Sequence, residues 1–149
     1  MKRILVRSSR PSLGFVALLA IAGCGGGGMD DGVDPTPELH VTVSPSTPGN
    51  PNLELTTDTP LGTIELSDRG TAALTLGLGA LVDRSDDNGT ALHIHEDECS
   101  NRTLGSGQSC AVTLQATSRD CGQAVFQISS NDPTLPILRV TVQYRGSNC

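Results

Sequence analysis

The chain has 149 residues and a formal charge of −6. Four of its ten basic residues (Lys2, Arg3, Arg7 and Arg10) fall within the first ten positions, so the remainder sets six arginines against sixteen acidic residues, a formal charge of −10. Nucleic-acid binding needs a basic footprint that displaces counterions from phosphates, and attraction to anionic lipid needs a basic patch; that remainder supplies neither.

In chain order, the basic start is followed by Leu13 to Ala22, an unbroken run of ten residues that is apolar apart from Gly14. Ten residues rise about 15 Å as a helix, half of the ~30 Å of a bilayer core, which fits a secretory signal and not a span. The run ends in Ile21-Ala22-Gly23-Cys24. This sequence resembles the lipobox of bacterial lipoproteins, which implies diacylglycerol on Cys24 and cleavage after Gly23. Residues 1–23 are thus expected to be a lipoprotein signal peptide. Gly25 to Gly28 and the Asp, Gly and Pro residues that continue to Pro37 give the composition of a flexible tether over residues 24–37. With Gly25 after the lipidated cysteine, lipoprotein sorting by resemblance favours the outer membrane of a Gram-negative cell envelope. The expected membrane contact runs through the acyl chains.

From Glu38 onward, alternation with period two dominates, the mark of half-buried strands. Leu39, Val41 and Val43 share one face, with His40 and Thr42 on the other. Leu53 to Thr57 adds a strand if it pairs. Ile64 and Leu66, then Leu74, Leu76 and Leu78, then Leu92 and Ile94 repeat the pattern. Val112 and Leu114, then Ala124, Phe126 and Ile128, then Leu138, Val140, Val142 and Tyr144 complete it. Turn chemistry separates these runs at Pro45 to Pro51, Asp68 to Gly70, Asp86 to Gly89, Gly105 to Gly107, Arg119 to Gly122 and Asn131 to Pro136. The expectation is all-β: an immunoglobulin-like antiparallel β-sandwich of about seven strands over residues 38–149. After the signal there is one Phe, one Tyr and no Trp, so the core must be aliphatic and cross-links must help hold it.

Besides Cys24 there are four cysteines, Cys99, Cys110, Cys121 and Cys149. An even set in an exported chain reads as two disulfides, with three possible connectivities. His93 and His95 stand at i and i+2 on one strand face, a spacing that can bind zinc or copper; an envelope protein using that face for a metal or ligand is the alternative reading. Alternation with buried positions turns these histidines, like His40, outward into solvent. Asp83 to Asn88 is rich in oxygen, but Gly89 falls one place late for a calcium loop. No Gly-x-Ser-x-Gly elbow, phosphate-binding glycine loop or His-Glu-x-x-His motif occurs, so no catalytic residue and no cofactor is expected.

The stretch from Cys99 to Gly146 carries a resemblance. It reads Cys99-Ser100, then Thr103-Leu104-Gly105-Ser106-Gly107-Gln108-Ser109-Cys110, Val112-Thr113-Leu114, Phe126-Gln127-Ile128-Ser129-Ser130-Asn131-Asp132-Pro133 and Val140-Thr141-Val142. This is similar to the repeat of bacterial choice-of-anchor D proteins, related to the abnormal-spindle and hydin type of immunoglobulin-like domain. Asp68-Arg69-Gly70 stands where that family has Asn-x-Gly, Ala116 where it has proline, and Cys121 and Cys149 lie outside its pattern. The resemblance implies an interaction or structural module, with an envelope protein or polysaccharide as partner. It also implies the pair Cys99–Cys110. A hairpin through Asn131 to Pro136 would set Cys121 opposite about Gly146, within reach of Cys149, so Cys121–Cys149 is the preferred second pair.

Overall fold

The computed structural model describes residues 34–46, 52–85, 91–117 and 121–149. Cys24, the signal, the tether up to Val33 and the Asp86 to Gly89 turn lie outside the described residues. The chain divides into Met1–Gly32 and Val33–Cys149, and all described residues belong to the second unit.

That unit is an all-β sandwich of two four-stranded sheets. The strands in chain order are β1 (Leu39–Ser44), β2 (Leu53–Thr56), β3 (Leu61–Asp68), β4 (Leu74–Thr75), β5 (Ala80–Val82), β6 (Leu92–Asp97), β7 (Thr103–Leu104), β8 (Ser109–Ala116), β9 (Gly122–Ser129) and β10 (Ile137–Arg145). One sheet has the order β1-β3-β8-β6, the other β2-β10-β9-β5, and β4 pairs with β7. The alternating residues face inward as their period requires: Ile64, Leu66, Val112, Leu114, Phe126, Ile128 and Val142 are fully buried between the sheets. Phe126 is the largest fully buried side chain of a mostly aliphatic centre, and Tyr144 is the second buried aromatic ring.

Two features depart from the sequence pattern. Leu78 does not continue the face of Leu74 and Leu76; it is 69% exposed. The ladder ends at Leu76, which bridges Ser130, and the Gly77 N–H turns to the Ser129 carbonyl at 2.9 Å. The sandwich is also not wholly antiparallel, because β2 runs parallel to β10. β1 lies in the first sheet against β3, whereas β2 lies in the second sheet against β10. β2 reaches only Val142 to Arg145 of β10. The first half of β10 has β9 on one side; on the other no strand is found among the described residues, which do not include 47–51, just ahead of β2.

Candidate functional site

The residues that carried the family resemblance converge where the chain enters the sandwich. Asp132 is buried; its Oδ2 accepts the Leu39 N–H at 2.8 Å, and its Oδ1 accepts the Thr134 N–H and hydroxyl, each at 2.7 Å. These donors, the Leu39 N–H foremost, hold its carboxyl below the usual carboxylate range against the opposing effect of burial. Asn131 does the same for β4: its Oδ1 accepts the Thr75 N–H at 2.8 Å and its amide donates to the Ala73 carbonyl at 3.1 Å. Ser130 closes its own turn by donating to the Leu135 carbonyl at 2.7 Å.

The Asp68-Arg69-Gly70 corner lies beside them. Asp68 is buried, and its Oδ1 accepts the Gly70 N–H at 2.9 Å. A Cβ on Gly70 would stand 2.2 Å from the Thr36 carbonyl oxygen, so only glycine lets the incoming backbone approach. The Thr36 carbonyl in turn accepts the Thr71 N–H at 2.9 Å, so pairing with the rest of the sandwich begins at Thr36. Gly107, at φ +77°, turns the chain so that its N–H meets the Asp68 carbonyl at 2.8 Å. Motif residues are therefore consumed in holding strands together.

Two disulfides are present. Cys99–Cys110 is buried, with Cα atoms 5.3 Å apart, and ties the loop after β6 to the start of β8. Cys121–Cys149 is exposed, with Cα atoms 5.7 Å apart. The β9–β10 register sets Gly122 opposite Tyr144, so Cys121 falls beside Arg145, one residue earlier than the hairpin argument expects. A shallow hollow of about 410 Å³ lies against this bridge.

His93 and His95 sit on β6, but a bulge between Ile94 and Glu96 breaks their simple i, i+2 relation. His93 Nε2 lies 3.0 Å from Gln115 Oε1, and His95 is exposed. His40 is on β1, separated from β6 by two strands of the same sheet. Among the described residues no group of three metal-ligating side chains gathers. Asp83 is engaged in an ion pair with Arg139.

Sequence reasoning missed a groove of about 370 Å³ between the outer edge of β1 and the first half of β10. Val41, Thr42 and Val43 form one wall and Leu138 to Thr141 the other, with Ser46 and Asn52, on either side of the undescribed residues 47–51, at its end. Its signal in the sequence was faint: it depends on where β2 joins β10, a pairing across about ninety residues.

No family model matches the chain, and no curated protein matches it. Solved structures do. The periplasmic chaperone SfaE is similar at 7% identity over 72% of this chain and 57% of that one, with a TM-score of 0.50. The secreted serine protease VesC from Vibrio cholerae aligns at 19% identity over 65% of this chain and 22% of its own, with a TM-score of 0.48. The PapD-like domain 7 of human CEP192 aligns at 14% identity over 72% and 84%, with a TM-score of 0.41. This chain thus spans a little over half of the chaperone and about a fifth of the protease. At such identities the likeness concerns the fold alone: an immunoglobulin-like β-sandwich, here with two disulfides of the kind that persist outside the reducing cytosol.

Proposed function

We propose that this chain is a bacterial envelope lipoprotein, held by lipid on Cys24 to the outer membrane, that displays one immunoglobulin-like module of the choice-of-anchor D type and works by contact, without catalysis. The observation that carries the reading is a combination. A leader ending in Ile21-Ala22-Gly23-Cys24 and a glycine run precede a small sandwich whose motif residues are spent on structure. Acid–base or nucleophilic catalysis needs polar groups converging in a pocket with a tuned pKa. Among the described residues both oxygens of the buried Asp132 carboxylate and Oδ1 of the buried Asp68 accept backbone N–H groups, Asp68 Oδ2 has no hydrogen-bond partner, no second titratable group joins either carboxylate, and the histidines sit at outward or edge positions.

Two experiments test this. Cys24→Ala should move the protein from the membrane to the soluble fraction and abolish labelling by a fatty-acid probe. Retention of the variant in membranes, or an unlabelled wild type, overturns the anchor. Crosslinking on intact envelopes should join the wild-type protein to an envelope protein or polysaccharide. Absence of any partner, together with substrate turnover that His93→Ala abolishes, overturns the contact reading.

A further inference from the structure

A thiol exchanges with a disulfide where it can reach a sulfur and where the departing sulfur is stabilised as a thiolate. The two bridges differ in both respects. Cys99 and Cys110 are 0% and 4% exposed. Cys110 stands in the β3–β8 ladder opposite Leu66, and the Cys99 N–H donates to Asp97 Oδ1 at 2.9 Å. A thiol reaches that bridge only when the core opens, and the Asp97 carboxylate opposes the negative charge of an incoming or departing thiolate.

Cys121 and Cys149 are both exposed, and both border the hollow of about 410 Å³. The register that pairs Gly122 with Tyr144 makes Arg145 the cross-strand neighbour of Cys121, on the same face of the sheet. Arg145 is the one charged side chain among the described residues that line the hollow, and no carboxylate among the described residues pairs with it. The two sulfurs differ in their anchorage. Cys121 adjoins β9, which holds it beside the guanidinium, whereas Cys149 belongs to residues 146–149, outside every ladder. β9 pairs with β10 as far as Tyr144 and β2 as far as Arg145, so opening the bridge leaves both ladders standing and releases residues 146–149.

We propose that Cys121–Cys149 is a thiol-exchange site, at which a dithiol attacks Sγ of Cys149 and Cys121 departs as a thiolate beside Arg145. The attacking group is the thiolate, its proton already given to solvent. A new S–S bond forms between it and Cys149; the Cys121–Cys149 bond breaks, and its electron pair stays on Cys121. The second thiolate of the dithiol then displaces Cys149 from the mixed disulfide. The dithiol is oxidised to a disulfide, and the bridge is reduced to two thiols by the same two electrons. Neither step depends on the lipid anchor or on a docking partner.

The test uses the full-length oxidised protein in detergent micelles. After a pulse of dithiothreitol, an acid quench and alkylation, mass mapping should find Cys121 and Cys149 reduced at least about tenfold faster than Cys99 and Cys110. Amides of β9 and β10 should keep their slow hydrogen exchange in that reduced form. With glutathione at about pH 9, where thiols are mostly ionised, the trapped mixed disulfide should sit on Cys149 about two- to fivefold more often than on Cys121, the share of one exposed charge pair. Arg145→Gln should erase that preference and slow reduction by dithiothreitol by a similar factor; Arg145→Lys should restore both. Equal rates at the two bridges, or loss of β9–β10 protection on reduction, overturns the proposal and makes the exposed bridge a structural staple. An excess of glutathione on Cys121, or a preference that Arg145→Gln leaves unchanged, overturns it as well, because the departing thiolate would then owe nothing to the arginine.

Discussion

Where the chain enters the sandwich, Asp68, Asn131, Asp132 and Ser106 each bind the backbone of a segment remote in sequence. At the opposite end Gly122 lies on the Tyr144 ring, and the exposed Cys121–Cys149 bridge closes the tail. The contrast follows from what each end must restrain. Residues 36–38 and 130–136 lie beyond the regular ladders, so backbone groups that the few remaining backbone bonds leave over, such as the Leu39, Thr75 and Thr134 N–H groups they adjoin, are met by side chains. Residues 146–149 are mostly exposed and bury too little to be held by packing, so a covalent link does the work.

Removing the bridges should break this comparison open most visibly. The loop-entropy relation, applied to separations of 11 and 28 residues, gives about 3 kcal/mol for Cys99–Cys110 and about 3.6 for Cys121–Cys149. Entropy alone therefore ranks the exposed bridge first. Burial reverses the order, because Cys99 and Cys110 sit in the core and alanines there also leave a cavity. Cys99→Ala with Cys110→Ala should cost about 4 kcal/mol, and Cys121→Ala with Cys149→Ala about 3 or less. Denaturant unfolding of the two double variants checks the order; the reverse order would show that chain entropy outweighs the buried contacts.

Single substitutions sharpen it. Asp132→Ala strands the Leu39, Thr134 and Leu135 N–H groups in or near the core and should cost about 2–3 kcal/mol in the same assay. Gly70→Ala should cost about 2 kcal/mol, since its Cβ would meet the Thr36 and Glu38 backbone at 2.2 and 2.5 Å. Gly122→Ala meets the Tyr144 hydroxyl at 2.4 Å and its ring at 2.5 Å. A ring shifts more readily than backbone, so about 1 kcal/mol is expected, and a larger loss than for Gly70→Ala would show that the far end is the more rigid one.

Strand faces were legible because period-two alternation is local: β3, β8, β9 and β10 bury the residues that the pattern selects, and β1 buries Leu39 and half-buries Val41 and Val43. Elements too short to show a period were not. β5 is Ala80-Leu81-Val82 between Gly79 and Asp83, and β7 is the two residues Thr103 and Leu104. The bulge at His95 was hidden because an extra residue shows only against its partner strand. Most of the site shares this non-local character. The resemblance located a turn at Asn131 and Asp132, but that Asp132 reaches Leu39, 93 residues earlier, is a property of topology. The groove beside β10 likewise exists because β1 occupies one sheet while β2 joins the other.

The smallest effect expected is a pH dependence confined to one end. Both buried carboxylates among the described residues, Asp68 and Asp132, lie where the chain enters. Asp132 is held below its usual range in the folded state, chiefly by the Leu39 N–H. A group whose folded pKa is depressed contributes stability that is fully present above its unfolded value, about 3.9, and is lost as pH falls through the folded value. The loss from one such group cannot exceed about 1.4 kcal/mol per pH unit. Unfolding free energies of the wild type and Asp132→Asn, measured at steps below pH 5, should therefore diverge in slope. The wild type should decline more steeply, because the variant has no proton to take up at that position. The variant will start lower at neutral pH, since its amide offers one oxygen where the carboxylate used two, and only the slopes are compared. Equal slopes would show that the Leu39 bond owes nothing to charge. The entering strand would then be held by hydrogen-bond geometry alone, and the two ends of the sandwich would respond alike to acid.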